Sequence, residues 1–138
     1  MIKNRTAKTW RMYWVPNCYH CRPSPKDKFA VIVCQDDCLK GFLVNSRINA
    51  WIAKHPKLCG CQARLEASEH PCLDKDSWVD CLDLYDFPDT ELRCDRGPIS
   101  VQGIDAIRRA VSDSTTIAVR YKKLILAKRQ GETGRETQ

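Results

Sequence analysis

Long hydrophobic runs are absent from this sequence of 138 residues. No apolar stretch approaches the ~20 residues of a transmembrane helix, so we expect no membrane-spanning segment. The first fifteen residues are basic, but Arg11 interrupts their apolar part and makes them a poor signal peptide. The sequence also lacks G-x-x-x-x-G-K-[ST], H-E-x-x-H and any internal repeat. We therefore expect a cytoplasmic protein without these phosphate-binding or zinc-protease signatures.

Composition is ordinary for a globular protein, at 43% hydrophobic and 29% charged residues. We expect one domain over residues 1–128 and a disordered polar tail over 129–138. The net charge is +6, and the basic residues concentrate near the two ends, around an acidic stretch at 69–89. This distribution suits a polyanion-binding face, although solvated surface charge gives the same pattern.

Cysteine is the residue in excess, with nine copies. An odd number cannot all pair internally, and without a secretory signal a disulfide framework is not expected. The simplest interpretation is a set of free thiols. Three of them lie in apolar or strand-like surroundings and are predicted to pack as small hydrophobes: Cys34, Cys81 and Cys94.

A zinc site is the alternative use of these thiols. The spacing Cys18-x-x-Cys21 lets two thiolates reach one tetrahedral ion, and the pair Cys59-x-Cys61 is one residue short of that spacing. We expect no cofactor, and we keep a zinc ion held by these four thiolates as the competing hypothesis.

Apolar periodicity predicts several short strands followed by helix. Two adjacent strands, Phe29–Cys34 and Gly41–Val44, are the centre of this pattern. The other predicted strands are Thr9–Val15, Gln62–Ser68 and a bent or bulged Asp76–Phe87. We predict one or two helical turns before Pro56 and a helix capped by Ser100. The apolar residues of Thr116–Lys128 fit both helical and strand spacing, and we favour a helix there. This order predicts a small, mainly β antiparallel barrel with helices packed on one side.

Aromatic residues near the basic loop at 17–28 are candidates for stacking on unpaired bases. In the first strand, Trp10 and Trp14 share the phase predicted to be buried, whereas Tyr13 falls on the opposite, wet face. The predicted stacking residues are therefore Tyr13, Tyr19 and Trp51.

Motifs spread from about Thr9 to Ser114 resemble the MazF/PemK-like (Kid-like) toxin family. They are MYWVP at 12–16, KDKFAVIV at 26–33, FLVNS at 42–46, LDKDSWVD at 73–80 and GPIS at 97–100. The resemblance implies an SH3-like barrel that is usually dimeric. It also implies a metal-independent endoribonuclease that cleaves single-stranded RNA, typically mRNA, and is inhibited by an antitoxin protein.

The resemblance also carries over two site residues. Lys28 stands where the family has arginine, and Ser46 ends an element that the family writes Pro-x-Thr-Ser. Lys28 would stabilise the phosphate, and Ser46 would assist, while a ribose 2′-OH attacks that phosphate. The remaining RNA-binding candidates are not family residues and are chosen for charge or ring chemistry: Lys26, Arg47, His20, Arg22, Tyr19 and Trp51.

Two other functions stay open at this stage. Lysine lacks the guanidinium fork that grips two phosphate oxygens, and Ser46 is the single hydroxyl of its element. A catalytically inactive relative that binds nucleic acid or a protein partner is therefore the first alternative. A small zinc-stabilised regulatory protein is the second.

Overall fold

The β-branched run predicted as the central strand forms the middle of an antiparallel sheet. In the computed structural model, which describes residues 7–127, this sheet has seven strands and curls into a half-barrel. The strands are β1 Arg11–Cys18, β2 Lys26–Gln35, β3 Leu39–Asn45, β4 Gln62–Leu65, β5 Ser77–Asp80, β6 Tyr85–Phe87 and β7 Cys94–Pro98. The helices are α1 Ala50–Ala53, α2 Pro56–Cys59, α3 Val101–Asp113 and α4 Val119–Leu126. The predicted tail at 129–138 lies outside the described residues.

The strand order is β4-β5-β3-β2-β1-β7, and β6 pairs with the part of β3 that β5 leaves free. Strand β5 meets the end of β3 at Val44 and Asn45, whereas β6 meets its beginning from Leu39 to Gly41. The bend predicted within Asp76–Phe87 is therefore a complete break, since the chain moves from one end of β3 to the other. The predicted fold class, a mainly β antiparallel barrel-like sheet with helices, is confirmed.

Both faces of the sheet are covered, so the prediction of a wet face on β1 is wrong. Met12 packs in the core beneath α3 and α4, while Tyr13 belongs to a second apolar cluster with Phe87 and Leu92. Tyr13 is only 1% exposed, and its hydroxyl accepts a hydrogen bond from the backbone N–H of Lys8 at 2.8 Å. Tyr13 is therefore a core residue and no stacking candidate. The periodicity missed this because distant segments, around β6 and the turn before β7, cover the second face.

Gly41 lies inside β3 rather than at its boundary. A Cβ at this position would lie 2.3 Å from the carbonyl oxygen of Val31 on the paired strand β2. Real Cβ atoms do not approach a carbonyl so closely, so glycine is required for the two strands to pair here. Gly41 therefore allows β2 and β3 to pair closely as a hairpin.

The C-terminal helices follow the sequence pattern. The hydroxyl of Ser100 accepts a hydrogen bond from the N–H of Gly103 at 2.9 Å, which confirms the predicted N-cap of α3. The segment for which a helix was favoured, Thr116–Lys128, contains α4. Arg108 ties the two helices together by donating to the carbonyl of Ile125 at 3.2 Å. No helix in the described part of the chain is long and apolar enough to cross a membrane.

Two segments near the sheet edges differ from prediction. The strand predicted over Gln62–Ser68 stops at Leu65 and is followed by a 3-10 turn, Ala67–Glu69. Strand β7 was not predicted, because its sequence, CDRGP, has no apolar alternation and its residues are mostly exposed. It forms by pairing with β1 at the edge of the sheet.

His70 connects the segment after β4 to the start of α3. This side chain is only 2% exposed. Its Nε2 accepts a hydrogen bond from the backbone N–H of Ser100 at 3.1 Å, so its Nδ1 carries the proton and donates to the carbonyl of Glu66 at 2.8 Å. Both ring nitrogens are thus used inside the fold.

Candidate nucleic-acid interface

The beginning of β2 and the end of β3 lie side by side, which places Lys28 in contact with Asn45 and at the same sheet end as Ser46. The antiparallel register pairs Phe29 with Val44, so the residues that precede one and follow the other meet at the same sheet end. The ammonium group of Lys28 donates to the carbonyl of Val44 at 3.2 Å and to the side-chain Oδ1 of Asn45. These two acceptors fix the position of the ammonium group.

The environment of Lys28 favours loss of its proton relative to an ordinary lysine. Burial is the main cause and lowers the pKa of the Lys28 ammonium group; the charge of Lys26 acts in the same direction. Nearby Cys18 and Cys21 thiols act in the opposite direction but do not overcome burial. An anion bound beside this half-buried ammonium group would stabilise its charged form, which burial disfavours.

A cavity of about 310 Å³, which we call the basic cavity, opens beside this lysine. It is lined by Lys26, Lys28, Asn45, Ser46, Arg47, Asn49, Ile52 and Gln62. Three of these side chains are cationic, and none of the described residues that line it carries a carboxylate. Such a lining attracts anions, and its amide and hydroxyl groups add hydrogen-bond donors.

A second cavity of about 330 Å³, the mixed cavity, lies on the other side of Lys28 and Ser46. Its lining balances Lys28 and Lys75 against Asp27 and Asp74, and it includes the rings of Trp14 and Phe29. These two rings pack edge to face with their centroids 4.8 Å apart. Lys28 and Ser46 thus stand on the wall between a basic and a mixed cavity.

Helix α1 borders the basic cavity and carries Trp51. Two of the residues that line the cavity, Asn49 and Ile52, belong to the cap and the buried side of this helix. Trp51 itself points outward and is 62% exposed. The imidazole of His55 lies against its indole, with ring centroids 4.3 Å apart.

The remaining predicted RNA-binding residues form a separate group. His20 lies between Tyr19 and Tyr85, with ring centroids at 4.3 and 4.4 Å, and its Nε2 is 2.8 Å from the carbonyl oxygen of Asp86. Arg22 donates to the carbonyl of Tyr19 at 3.4 Å. Neither His20, Tyr19 nor Arg22 lines the basic or the mixed cavity. The structure therefore brings Lys26, Lys28, Ser46 and Arg47 together around the basic cavity, which α1 with Trp51 borders. The other three candidates, His20, Tyr19 and Arg22, lie outside it.

The thiols have different environments. Cys34 and Cys81 are buried as predicted, and burial raises the pKa of Cys34 to about 11. Cys94 is exposed on β7, so the prediction that it packs in the core is wrong because β7 is an edge strand. All nine cysteines are free thiols.

The four thiols of the zinc hypothesis are not gathered into one cluster. Over residues 7–127, a single group of three or more metal-ligand side chains has its ligand atoms within 4.8 Å of one another, namely Asp36, Asp37 and Cys38. The zinc hypothesis for Cys18, Cys21, Cys59 and Cys61 therefore stays a prediction for metal analysis.

Sequence reasoning missed the amide side chains of the site. Asn45 was interpreted as a turn residue, yet its Oδ1 holds the ammonium group of Lys28. Asn49 and Gln62 also line the basic cavity but lie in separate segments of the sequence. The one available signal was the polar Asn45-Ser46 pair at the end of an apolar strand, which indicated a strand end without specifying its contact with Lys28.

Fold and site together define a curled antiparallel half-barrel with a basic cavity at the end of its central hairpin. No protein-family model matches the chain, and no curated protein matches its sequence. Its fold is similar to that of the Mycobacterium tuberculosis toxin MazF-mt6, with a TM-score of 0.55 and 11% sequence identity. The alignment covers 75% of this chain and 93% of that toxin. The protein therefore has a MazF-like fold.

Proposed function

We propose that this protein is a metal-independent endoribonuclease that cleaves single-stranded RNA at the basic cavity. The observation that carries the proposal is the lining of that cavity, where Lys26, Lys28 and Arg47 converge beside the hydroxyl of Ser46 without a carboxylate among them. Because the RNA backbone is a polyanion, a cavity with this lining suits one of its phosphates.

The reaction is an in-line attack by the ribose 2′-oxygen on the adjacent phosphorus. A P–O2′ bond forms as the P–O5′ bond breaks, and the proton of the 2′-hydroxyl passes to water. The products are a 2′,3′-cyclic phosphate and, once O5′ is protonated, a 5′-hydroxyl. Lys28 and Arg47 stabilise the negative charge that builds on the phosphoryl oxygens, and Ser46 donates a hydrogen bond to one of them. The lowered pKa of Lys28 makes its ammonium group a better proton donor to the leaving O5′ oxygen.

The biological role that we propose is that of the toxin in a toxin–antitoxin pair. MazF-mt6 is described as a toxin, and this chain shares its fold. We therefore expect an antitoxin protein as the partner and a homodimer as the active form. Induced expression in bacteria should arrest growth, and the Lys28→Ala variant should not.

RNA cleavage in EDTA tests the enzymatic proposal. Wild-type protein should release fragments whose 5′ ends accept phosphate directly from a polynucleotide kinase, because they carry a free 5′-hydroxyl. Lys28→Ala and Ser46→Ala should each lower the rate about 10²- to 10³-fold. Lys123→Ala removes an exposed cation of α4 that lines neither cavity, so it should leave the rate unchanged. Intact RNA with correctly folded wild-type protein would refute the proposal.

A catalytically inactive protein that binds nucleic acid or a protein partner is the second candidate. The ammonium group of Lys28 already donates hydrogen bonds to Val44 and Asn45, which favours a cation that binds in a fixed position over a catalytic one. This candidate predicts RNA binding that depends on Lys28 without any cleavage. The third candidate, a zinc-stabilised regulatory protein, requires about one zinc per chain in protein purified without chelator.

A further inference from the structure

We propose that Trp51 is a stacking platform for one unpaired base of a single-stranded nucleic acid whose backbone occupies the basic cavity. The inference rests on the proposed function only in requiring that the cavity bind a nucleic-acid backbone. Three features of α1 carry it: the exposure of the indole, its fixed position and its place beside the cations.

The indole of Trp51 has the open surface that a platform needs. The side chain is 62% exposed, whereas Trp10 is buried and both Trp14 and Trp78 are half-buried. Within residues 7–127, His55 is the one ring packed against Trp51, and the two ring planes are tilted by 35°. The opposite face of the indole is the one on which a base would stack, and stacking of a base on an aromatic ring is the contact that single-strand-binding proteins use without sequence preference.

Short-range contacts hold Trp51 in place before any ligand arrives. Asn49 caps α1 by accepting a hydrogen bond from the N–H of Ile52 at 2.8 Å, and Ile52 is buried. The Nδ1 of His55 lies 2.6 Å from the carbonyl oxygen of Trp51, which keeps the imidazole against the indole. Ordering the platform therefore costs little on binding, since the rings are already packed.

The platform lies beside the basic cavity and its cations. Ile52 lines the basic cavity, and the Cα atom of Trp51 is the neighbouring one in the chain, about 3.8 Å away. Trp51 therefore adjoins a residue that lines the cavity, and the proposal places on its indole the base of a nucleotide whose phosphate Lys26 and Arg47 hold, or an adjacent base. Because the bases of a duplex are stacked on their neighbours, the platform selects single strands.

Binding of two 2′-deoxy oligonucleotides, followed by fluorescence anisotropy, separates stacking from charge. The first is a single-stranded oligonucleotide with all its bases, and the second is an abasic oligonucleotide of the same length and charge. Neither offers a 2′-hydroxyl, so neither is a substrate for the proposed cleavage. Trp51→Ala should weaken binding of the first roughly 5- to 150-fold and leave binding of the second unchanged.

Matched variants define the outcome. Trp51→Phe, which keeps an aromatic face, should retain most of the affinity, and Leu124→Ala, an exposed apolar change on α4, should have no effect. Arg47→Ala should weaken binding of both oligonucleotides alike. Unchanged binding of Trp51→Ala to the base-containing strand, or an equal loss for both strands, overturns the platform, as does a wild-type protein that binds neither. Platform-dependent binding without RNA cleavage retains the platform and removes only the proposed chemistry.

Discussion

Replacing His70 by leucine should destabilise the protein, although histidine and leucine occupy comparable space. The substitution leaves the backbone N–H of Ser100 without a partner. It also removes one of the two hydrogen bonds that the carbonyl of Glu66 accepts, the other coming from the N–H of Glu69. An unpaired donor inside the fold costs about 1–3 kcal/mol, so the loss in the free energy of unfolding should be about 1–3 kcal/mol. For a chain of this length, that loss corresponds to roughly 3–15 °C in Tm.

Urea unfolding and thermal unfolding, each followed by circular dichroism, measure this loss. His55→Leu is the matched control, because His55 contacts Trp51 at the surface and its replacement should change the free energy of unfolding by less than about 0.5 kcal/mol. A loss for His70→Leu no larger than that of this control would show that water or a local rearrangement satisfies the N–H of Ser100, and would refute the reasoning.

Two further predictions concern the ends and the middle of the β2–β3 hairpin. Burial lowers the pKa of Lys28, so its positive charge is lost at a lower pH than that of an ordinary lysine, and kcat/KM for RNA should fall on an alkaline limb below pH 10.5. The residual activity of Lys28→Ala should lack that limb, and a limb that persists in this variant would assign it to another group. Gly41→Ala should cost about 2–4 kcal/mol, because its methyl group overlaps the carbonyl of Val31. Gly60→Ala, whose Cβ meets only ordinary contacts at 3.5 Å, is the control; equal stability of the two variants would show that β2 and β3 separate without strain.

The hairpin at the centre of the fold was predictable from the sequence because its signals are local. A β-branched run, a short polar loop and a second apolar run specify two neighbouring antiparallel strands. Once these pair, Lys28 and Ser46 must lie at the same end of the sheet, whatever the rest of the chain does. The capping hydroxyl of Ser100 is equally local, and it also appears where the sequence indicated.

The rest of the site depends on contacts between distant segments. The burial of Tyr13 depends on β6 and on the turn before β7, about seventy residues away, so its alternation with Met12 was misleading. The separation of His20 from the basic cavity likewise depends on its stacking against Tyr85. Sequence proximity to a basic loop therefore placed His20, Tyr19 and Arg22 in the same candidate site as Lys28, and only the folded chain separates them.

The contact between Lys28 and Asn45 constrains how this protein can vary in evolution. The ammonium group fits between the carbonyl of Val44 and the amide oxygen of Asn45, so an arginine at position 28 would bring a larger, planar group against the same two acceptors. Homologues with arginine at position 28 should therefore carry a smaller residue, or none that accepts a hydrogen bond, at position 45. The two positions are expected to change together, and a set of related sequences would reveal this contact as a correlated pair.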